Sequence, residues 1–277
     1  MNIQIFGGKG FVGSAFKKKC LNNEYFIIDN ERDDYEIKSN NIVYMISTVS
    51  NYNVLTDHYI DIETNLITLI KVLEQCKNND QIIFNFISSW FVYGETEIPA
   101  DENSTCNPNG FYSITKRCAE QLLISFCKTF NIKYRILRLA NVAGYGDLKA
   151  SNQKNALQFI INEMKAGNDI NLYENGNFFR DYIHVEDVAE AIYLVIIKGK
   201  VNHIYNVGNG EPILFKKIID YAFNRLKSTS KLTCIKTPDF HKIVQVKSMW
   251  MSSEKIKTLG YKPKYTIENI LDDMIKD

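Results

Sequence analysis

The sequence predicts an α/β protein, built on a doubly wound parallel sheet with a small C-terminal α/β lobe. Short apolar segments alternate with helix-like segments along the first half of the chain. These apolar segments are nearly continuous, as strands are when helices cover both faces of a parallel sheet. The 277 residues, 45% of them hydrophobic, can bury one large core or two unequal ones. Beyond residue 140 the alternation loosens, and there we expect the second lobe.

Hydrophobic periodicity locates the individual elements. Apolar runs predict strands at 2–6, 24–29, 42–46, 81–88, 133–139, 170–173 and 203–207. Apolar residues at helical spacing predict helices at 12–20, 61–77, 111–129, 154–166, 186–198, 214–227 and 266–276. We therefore predict a first domain of residues 1–145, to which residues 182–207 return, and a lobe formed mainly by residues 146–277. Ligands of such sheets bind beyond the carboxyl ends of the strands.

Composition excludes several classes of protein. The formal net charge is +1, so no global field would attract nucleic acid or an anionic membrane. No stretch reaches about 18 apolar residues, which excludes a membrane span, and the N-terminus lacks the features of a signal peptide. The six cysteines and four histidines are scattered, so we predict neither a metal site nor a disulfide framework. Free cysteines fit a reducing cytoplasm, where we expect the protein.

A glycine-rich turn follows the first predicted strand. Gly7, Gly10 and Gly13 stand in the segment GGKGFVG, which opens the first predicted helix. Glycines here let the backbone turn sharply and approach a pyrophosphate, and the helix start at Phe11 and Val12 supplies free N–H groups and a positive dipole end. Because it lies at the first strand–helix turn, the segment predicts a Rossmann-type dinucleotide site.

The end of the second predicted strand indicates which dinucleotide binds. Asp29 can accept hydrogen bonds from both hydroxyls of the adenosine ribose and would repel a 2′-phosphate, although it could also simply cap the strand end. The neighbouring Asn30 and Arg32 complete the predicted adenosine contacts. Arg32, and Lys9 within the glycine turn, could instead pair with a 2′-phosphate. We predict NAD, with NADP as the alternative.

Tyr112 and Lys116 form the candidate catalytic pair. They are four residues apart at the start of a predicted helix, so their side chains share one face. The preceding strand ends in Ser88 and Ser89, near the same crevice. An ammonium beside a phenol stabilises the phenolate, so we expect Lys116 to lower the pKa of Tyr112. Tyr112 would then exchange a proton with an alcohol or carbonyl oxygen held by Ser89, while hydride moves at a nicotinamide.

The chain contains a second pair with the same spacing, Tyr145 and Lys149. It lies in the glycine-flanked segment AGYGDLK, where no predicted helix aligns the two side chains. We interpret this second pair as accidental.

Taken together, the motifs resemble those of the extended short-chain dehydrogenases/reductases that act on nucleotide sugars. The similar stretches follow one another from end to end: GGKGFVGS, TNLITLIKVLEQC, FISSWFVYG, PNGFYSITKRCAEQL, LRLANVAGYG, FFRDYIHVEDVAEAI, YNVGNGEPI and LGYKPKY. The resemblance implies a Rossmann-type fold and a catalytic Ser89. It further implies that Tyr112 and Lys116 contact the cofactor, with the Lys116 ammonium holding the nicotinamide ribose. It also implies that Asn65 lies near the cofactor, where we add Ser47 and Ser88 as contacts.

The resemblance also implies where the substrate binds. Asn141, in LRLANVAG, and Arg180, in RDYIHV, correspond to residues that hold the diphosphate of a nucleotide-diphosphate sugar. A guanidinium in a crevice suits a diphosphate because it can donate two parallel hydrogen bonds. Arg180 could equally pair with Asp181 or Glu186.

The two residues after Ser89 reduce the number of reactions that the site could catalyse. Similar 4,6-dehydratases carry an Asp-Glu pair there, decarboxylases a Glu, and the epimerising reductases that make GDP-fucose a Cys. This chain has Trp90 and Phe91 instead. What remains is ketone reduction or 4-epimerisation, which need only hydride transfer and Tyr112.

We predict an NAD(P)-dependent oxidoreductase of polysaccharide biosynthesis that reduces a 4-keto-6-deoxy sugar nucleotide. The compact length of the chain, together with Lys9, resembles reductases more than epimerases. The alternative is an NAD-dependent nucleotide-sugar 4-epimerase. A cofactor-sensing scaffold without activity is a third possibility, but such proteins typically lose the tyrosine that this chain keeps as Tyr112.

We also predict a homodimer with a four-helix contact. The predicted helices 61–77 and 111–129 are apolar beyond one stripe, and the resemblance points to the same helices. The apolar residues that exceed the needs of one sheet face are Leu122, Leu123, Phe126 and Phe130.

Overall fold

The structure, a computed structural model, describes residues 1–147 and 155–276. Its strands are β1 (Asn2–Phe6), β2 (Phe26–Asp29), β3 (Asn41–Tyr44), β4 (Ile83–Ser89), β5 (Lys133–Leu139), β6 (Asn141–Ala143), β7 (Ile170–Tyr173), β8 (Phe179–Arg180), β9 (Tyr182–His184), β10 (His203–Val207), β11 (Ile213–Leu214) and β12 (Leu232–Ile235). Its helices are α1 (Phe11–Leu21), α2 (Ile60–Ile62), α3 (Thr68–Cys76), α4 (Phe111–Thr129), α5 (Ala156–Ala166), α6 (Val185–Lys198), α7 (Phe215–Leu226), α8 (Asp239–Val244), α9 (Glu254–Lys257) and α10 (Ile267–Ile275). A π-helical segment, Glu63–Ile67, joins α2 to α3, and 3₁₀ turns lie at Asn51–Leu55, Trp90–Val92 and Glu174–Gly176.

A six-stranded parallel sheet forms the centre of the fold. Its strand order is β2-β1-β3-β4-β5-β10, so the direction of winding reverses between β1 and β3. In open α/β sheets the ligand crevice lies at such a reversal, beyond the carboxyl ends of the strands. The predicted doubly wound, Rossmann-type sheet is therefore confirmed, and the crevice lies where β1 and β3 end.

Apolar side chains cover the sheet on both faces. On one face Phe16 of α1 and Ile192 of α6 are fully buried. On the other face Leu69 of α3 and Leu123 of α4 are fully buried. Burial of each such side chain contributes roughly 1.5–3 kcal/mol. These contacts hold α4, which carries the candidate catalytic pair, against β4 and β5.

A third cluster of buried residues forms the C-terminal lobe, from α5, α7, α10 and the parallel pair β7–β12. The segment before α10 is fixed to α6 by Asp187, which accepts hydrogen bonds from the backbone N–H groups of Lys264 and Tyr265 at 3.0–3.1 Å. Strand β10 returns to the large sheet and pairs with β5. The domain boundary at residue 145 stays a prediction.

Several predicted elements have the observed bounds, and others do not. The helix at 111–129 and the strands at 133–139, 170–173 and 203–207 are confirmed. The predicted helix 61–77 is instead α2, a π-helical segment and α3. The strands β6, β8, β9 and β11 were not predicted, because two or three residues carry too little periodicity to detect. Strand β12, which was also not predicted, pairs with the predicted strand 170–173. Within residues 1–147 and 155–276, no helix is long and apolar enough to cross a membrane.

Candidate active site

The glycine turn connects β1 to α1 where the winding of the sheet reverses. Gly7 has a φ of +89°, and a Cβ there would lie 3.0 Å from the backbone of Met45, just beyond β3. A Cβ on Gly13 would lie 2.6 Å from the carbonyl oxygen of Gly7. A side chain at either position would force the turn open, so glycine is required for α1 to begin this close to the sheet.

The start of α1 is suited to an anion. Gly10 is its N-cap, and among the described residues no side chain caps the helix. Its first turn also carries no acidic residue. The N–H groups of Phe11, Val12 and Gly13, which have no acceptor within the helix, lie at its positive end. This is the geometry of a phosphate site.

Asp29, at the end of β2, lies against this turn. Its Oδ2 accepts a hydrogen bond from Lys17 Nζ at 2.5 Å. Its Oδ1 is buried and has no partner among the residues that the structure describes. A Cβ on Gly8 would lie 2.2 Å from that oxygen. A buried carboxylate oxygen without a donor costs free energy, and ribose hydroxyls would supply donors, so the turn and Asp29 fit the adenosine half of a dinucleotide.

The other predicted adenosine residues are placed differently. Asn30 is buried and donates to the backbone carbonyl of Asp34 at 3.1 Å, so its side chain orders the loop after β2. Arg32 is exposed. Lys9 forms an exposed ion pair with Glu31 at 2.6 Å. The Glu31 carboxylate would therefore compete with a 2′-phosphate for the Lys9 ammonium.

The candidate catalytic residues meet at the carboxyl end of β4. Tyr112 and Lys116, on one face of α4, are 7% and 2% exposed. Lys116 Nζ donates to the carbonyl oxygen of Ile87 at 2.8 Å. The Ser89 and Ser47 hydroxyls are hydrogen-bonding neighbours of the Tyr112 phenol. The structure therefore brings the three predicted catalytic residues together with a fourth side chain, Ser47, from the end of β3.

The charge states of this pair differ from the prediction. Burial raises the pKa of Tyr112 to about 12, although the Ser89 and Ser47 hydroxyls oppose it. Burial also lowers the pKa of Lys116 to about 7, opposed by the charge of Glu120. The prediction that Lys116 lowers the pKa of Tyr112 is wrong, because desolvation dominates and the ammonium bonds to β4 rather than to the phenol. At neutral pH Tyr112 is a protonated phenol.

Below this pair lies a buried ion pair that sequence reasoning missed. Glu120, one turn beyond Lys116, accepts two hydrogen bonds from Arg138 of β5, at 3.0 and 2.8 Å. Burial raises the pKa of Glu120, but Arg138 outweighs it and holds the pKa below its usual range. Ser88 is buried, and its hydroxyl neighbours Glu120. The Ser88 side chain thus lies at this ion pair, away from Ser89, since neighbouring strand residues point to opposite faces.

Asn65 joins the end of β3 to α4. It lies in the π-helical segment, a feature that is frequent at functional sites. Its Oδ1 accepts from the Thr48 N–H at 2.9 Å and from Ser47 Oγ at 3.0 Å. Its Nδ2 donates to the hydroxyls of Thr48 and Thr115, both at 2.9 Å. Because these bonds use the whole amide, we interpret Asn65 as a residue that positions the cofactor-side loop.

Asp61, on α2, is a further buried residue that the sequence analysis did not select. It is 1% exposed, and Thr48 and Asn53 donate hydrogen bonds to its Oδ1. The sequence contains a pattern that could have selected Asp61. Asp61 shares its helical face with Asn65 and the buried Leu69, at spacings of four residues, so an acid stands in a stripe that faces the core.

The cleft beside Tyr112 is lined by aromatic side chains. The rings of Trp90 and Phe91 stack at 4.0 Å, and the edge of the Phe91 ring faces Tyr112 at 5.7 Å. On the other side of the cleft, Tyr52 Oη and His241 Nδ1 are 3.0 Å apart. The two positions directly after Ser89 therefore carry aromatic rings and no carboxyl group.

Arg180 is a buried cation without a carboxylate partner among the described residues. It is 8% exposed and donates to the backbone carbonyls of Phe179, Lys247 and Val246 at 2.7–3.3 Å. Burial lowers its pKa to about 10. The alternative pairing with Asp181 is not realised, because that carboxylate accepts backbone N–H groups instead.

The two predicted substrate-side residues, Asn141 and Arg180, lie on strands β6 and β8. Strand β6 pairs with β9, and the register places Asn141 opposite Tyr182, two residues beyond Arg180. The alternative partner of Arg180, Glu186, accepts a hydrogen bond from Tyr265 at 2.6 Å instead. Asn141 Nδ2 itself donates to the carbonyl of Asp181 at 2.9 Å.

Two further predictions concern residues outside this centre. Tyr145 is 60% exposed in a turn, and its partner Lys149 lies outside the described residues. In residues 1–147 and 155–276 no three His, Cys, Asp or Glu side chains are grouped so that they could hold a metal ion.

The chain matches one family model, and it is similar to curated proteins over nearly its whole length. The family model "NAD dependent epimerase/dehydratase family" matches residues 36–208. The chain is 26% identical to a putative UDP-glucose 4-epimerase of Methanocaldococcus jannaschii, over 96% of this chain and 94% of that protein. It is 25% identical to the dTDP-glucose 4,6-dehydratase of Haemophilus influenzae, over 100% and 97%.

Solved structures share the fold. The UDP-glucose 4-epimerase of Thermotoga maritima, solved with UDP-glucose, superposes with a TM-score of 0.87 at 21% identity, over 100% of this chain and 98% of that one. RMD from Pseudomonas aeruginosa, complexed with NADPH, gives a TM-score of 0.84 at 19% identity, over 99% and 98%. At such identities these structures establish the fold and not the reaction.

Proposed function

Because the chain belongs to the NAD dependent epimerase/dehydratase family, we propose that it is a reductase that converts the ketone of a 4-keto-6-deoxy sugar nucleotide to an alcohol. The observation that carries the proposal is the geometry of the site: the buried Tyr112 phenol lies beside the Ser89 hydroxyl, and Trp90 and Phe91 follow Ser89 where dehydration would need acids. Reduction of a ketone consumes a proton, so it needs an acid that is protonated at rest. Tyr112 meets this condition, and Ser89 lies beside it.

Each side chain has a defined part in this mechanism. The glycine turn and Asp29 would hold the nicotinamide cofactor, which would supply the hydride for the carbonyl carbon. Ser89 donates a hydrogen bond to the carbonyl oxygen and orients it. Tyr112 gives its proton to that oxygen, and the phenolate left behind takes a proton from water. General acids of this kind contribute about 10²–10⁴-fold to the rate.

The substrate diphosphate would bind at Arg180 and Asn141. The Arg180 guanidinium donates to backbone carbonyls and lies over the rings of Phe178 and Trp90, at 4.6 and 5.9 Å. Because no carboxylate among the described residues neutralises it, its positive charge can attract an anion. The stacked pair Trp90 and Phe91 would cover the sugar and exclude water. Since no acid replaces the Asp-Glu pair of the dehydratases, elimination of water has no proton donor or acceptor besides Tyr112.

The second candidate is nucleotide-sugar 4-epimerisation. The names of the M. jannaschii relative and the T. maritima structure favour it. An epimerase must first oxidise the 4-hydroxyl, which requires Tyr112 as a phenolate base. Oxidation of the 4-hydroxyl and reduction of the ketone use the same Tyr112, Lys116 and Ser89, so the experiment below decides between the two reactions.

One experiment separates the two reactions. The purified protein is incubated with NADH and dTDP- or UDP-4-keto-6-deoxyglucose, and in parallel with UDP-glucose alone. We expect NADH to be consumed in step with the loss of ketone, and no UDP-galactose to form. If UDP-galactose forms without added cofactor, the protein is an epimerase and the reductase proposal is wrong.

We expect the enzyme to prefer NADH to NADPH by at least tenfold in kcat/KM. A 2′-phosphate would approach the buried Oδ1 of Asp29, and charge repulsion there is only partly offset by Lys17. Titration of both cofactors against one substrate measures the ratio. Asp29→Asn should reduce it.

Glu31→Gln provides the matched control for this prediction. It removes an acid near the same turn and frees Lys9 from its ion pair, so it should improve NADPH use without weakening NADH. Equal use of both cofactors by the unmodified protein would contradict the role assigned to Asp29.

We also expect a homodimer through α3, α4 and the π-helical segment. Apolar side chains that remain 36% to 46% exposed cluster on these elements: Ile67, Ile70, Phe111, Ile114 and Leu122. The predicted contribution of Leu123 is wrong, because that side chain is fully buried against the sheet. Ile70→Glu combined with Ile114→Glu should convert the dimer to a monomer, measured by light scattering.

The control for the dimer is Ile197→Glu, on α6, which places a charge at another exposed apolar residue. It should leave the molar mass unchanged. A monomer at micromolar concentration before any substitution would contradict the prediction.

A further inference from the structure

Asp61 is a buried acid for which the site described so far has no function. It is 1% exposed, and no cation pairs with it among the residues that the structure describes. Asn53 Nδ2 donates to its Oδ1 at 3.0 Å, and the Thr48 hydroxyl donates to the same oxygen. Its Oδ2 is buried and has no partner in the described part of the chain. A buried carboxylate with two donors and no cation is costly, which suggests a use other than stability.

Hydrogen bonds connect Asp61 to the helix that carries Tyr112. The Thr48 hydroxyl, which donates to Asp61, accepts from Asn65 Nδ2 at 2.9 Å. The same Nδ2 donates to Thr115 Oγ1 at 2.9 Å, and that hydroxyl donates to the carbonyl of Tyr112 at 3.0 Å. The network therefore fixes α2, the loop after β3 and the first turn of α4 in one arrangement.

The same network holds Ser47 against the phenol. Ser47 Oγ donates to the Asn65 side chain at 3.0 Å and to the carbonyl of Thr48 at 2.7 Å. These two acceptors share the single hydroxyl proton of Ser47, so toward the phenol Ser47 Oγ can act as an acceptor through its lone pairs. Ser47 and Ser89 thus approach Tyr112 from two different strand ends, and Asp61 anchors the first of these.

Several charged or titratable groups surround this part of the cleft. They are Lys116 and Glu120 on α4, Asp61 on α2, Tyr52 in the turn Asn51–Leu55, and Arg180 and His241 on the C-terminal side. Burial is the main reason for the raised pKa of Tyr112, and Asp61 is the charged group that raises it further. Lys116 is bonded to β4, and Glu120 is neutralised by Arg138.

We propose that Asp61 is a positioning residue of the catalytic centre, which holds the Ser47–Thr48 loop against Tyr112 and whose negative charge opposes formation of the phenolate. The proposal rests on the reductase function in one respect, the use of Tyr112 as an acid. In that reaction hydride forms the new C–H bond, the Tyr112 proton forms the O–H bond, and water returns a proton to the phenolate. A nearby negative charge favours that last step and restores the acid for the next turnover.

The test uses Asp61→Asn and reads the titration of Tyr112 directly. The protein is labelled with [¹³Cζ]tyrosine, and Tyr112→Phe assigns the resonance. We expect the pKa of Tyr112 to fall by about one unit in Asp61→Asn, since removal of a nearby like charge favours the phenolate. The alkaline limb of the kcat profile for ketone reduction should move down by the same amount.

Two further variants complete this test. Glu63→Gln is the matched control, because it removes an exposed acid from the same helical region and should leave the titration unchanged. Asp61→Leu replaces the charged side chain with an apolar one of similar size. It should lower the pKa of Tyr112 by the same amount as Asp61→Asn. With two variants, the test still gives a result if one of them misfolds. If Tyr112 titrates alike in the unmodified protein and in the folded Asp61 variants, the proposal is wrong.

The two proposals fail in different ways. The titration of Tyr112 needs no substrate, so it tests Asp61 even if the protein does not reduce a ketone. A shifted titration without ketone reduction would support the role of Asp61 and contradict the reductase function.

Discussion

Replacement of Tyr112 by Phe is expected to reduce ketone reduction by 10²–10⁴-fold or more while leaving the fold and cofactor binding intact. The phenol is the group at this centre that is protonated at neutral pH and lies beside Ser89. Loss of a positioned general acid typically costs that factor. The measurement is kcat with NADH and a 4-keto-6-deoxy sugar nucleotide, together with a cofactor titration and a melting curve.

Two further variants serve as comparisons for the Tyr112→Phe result. Ser89→Ala removes one hydrogen bond to the substrate oxygen and should cost less, on the order of 1–3 kcal/mol in transition-state stabilisation. Tyr145→Phe is the control, because Tyr145 belongs to the other YxxxK sequence and is exposed. If Tyr145→Phe abolished turnover and Tyr112→Phe did not, the active site would be assigned to the wrong segment.

Lys116→Met is expected to damage both cofactor binding and turnover. Lys116 is buried at the carboxyl end of β4, and the family resemblance implies that it holds the nicotinamide ribose. Hydrogen bonds from a charged donor contribute about 1.5–3 kcal/mol, so NADH affinity should fall by about 10- to 100-fold. Isothermal titration with NADH measures this loss independently of kcat, and an unchanged affinity would contradict the assignment.

The same variant should change how stability depends on pH. Burial lowers the pKa of Lys116 from 10.5 to about 7. Between these values the unfolded chain keeps the proton that the folded chain has released, so the free energy of unfolding rises with pH. Below pH 7 the ammonium is charged in both states, and its burial opposes folding in full.

Lys116→Met removes the free-energy cost of burying the Lys116 ammonium. The variant should therefore be more stable than the unmodified protein at pH 6, by up to about 5 kcal/mol. The difference should shrink steadily as the pH rises from about 7 to 10.5. Urea unfolding at several pH values measures it. A difference that does not vary with pH would mean that Lys116 stays charged in the folded protein.

The sequence alone determined the parts of the molecule that depend on local periodicity and on motifs. The helix 111–129 and the strand 133–139 were predicted with their observed ends, because each has one apolar pattern and a clear boundary. The glycine turn was predicted because it directly follows the first strand. Tyr112, Lys116 and Ser89 could be placed together since helical spacing and the common edge of parallel strands bring them to one crevice.

The tertiary structure alone decided the charge states and the supporting contacts. The pKa of Tyr112 depends on burial by residues from distant segments, so spacing on one helix predicted the wrong direction. Asn65 was expected near the cofactor, but its amide is used by Ser47, Thr48 and Thr115, which only the packing of α4 against the π-helical segment brings within reach. Desolvation and long-range hydrogen bonds depend on which surfaces meet, and a linear pattern does not contain that information.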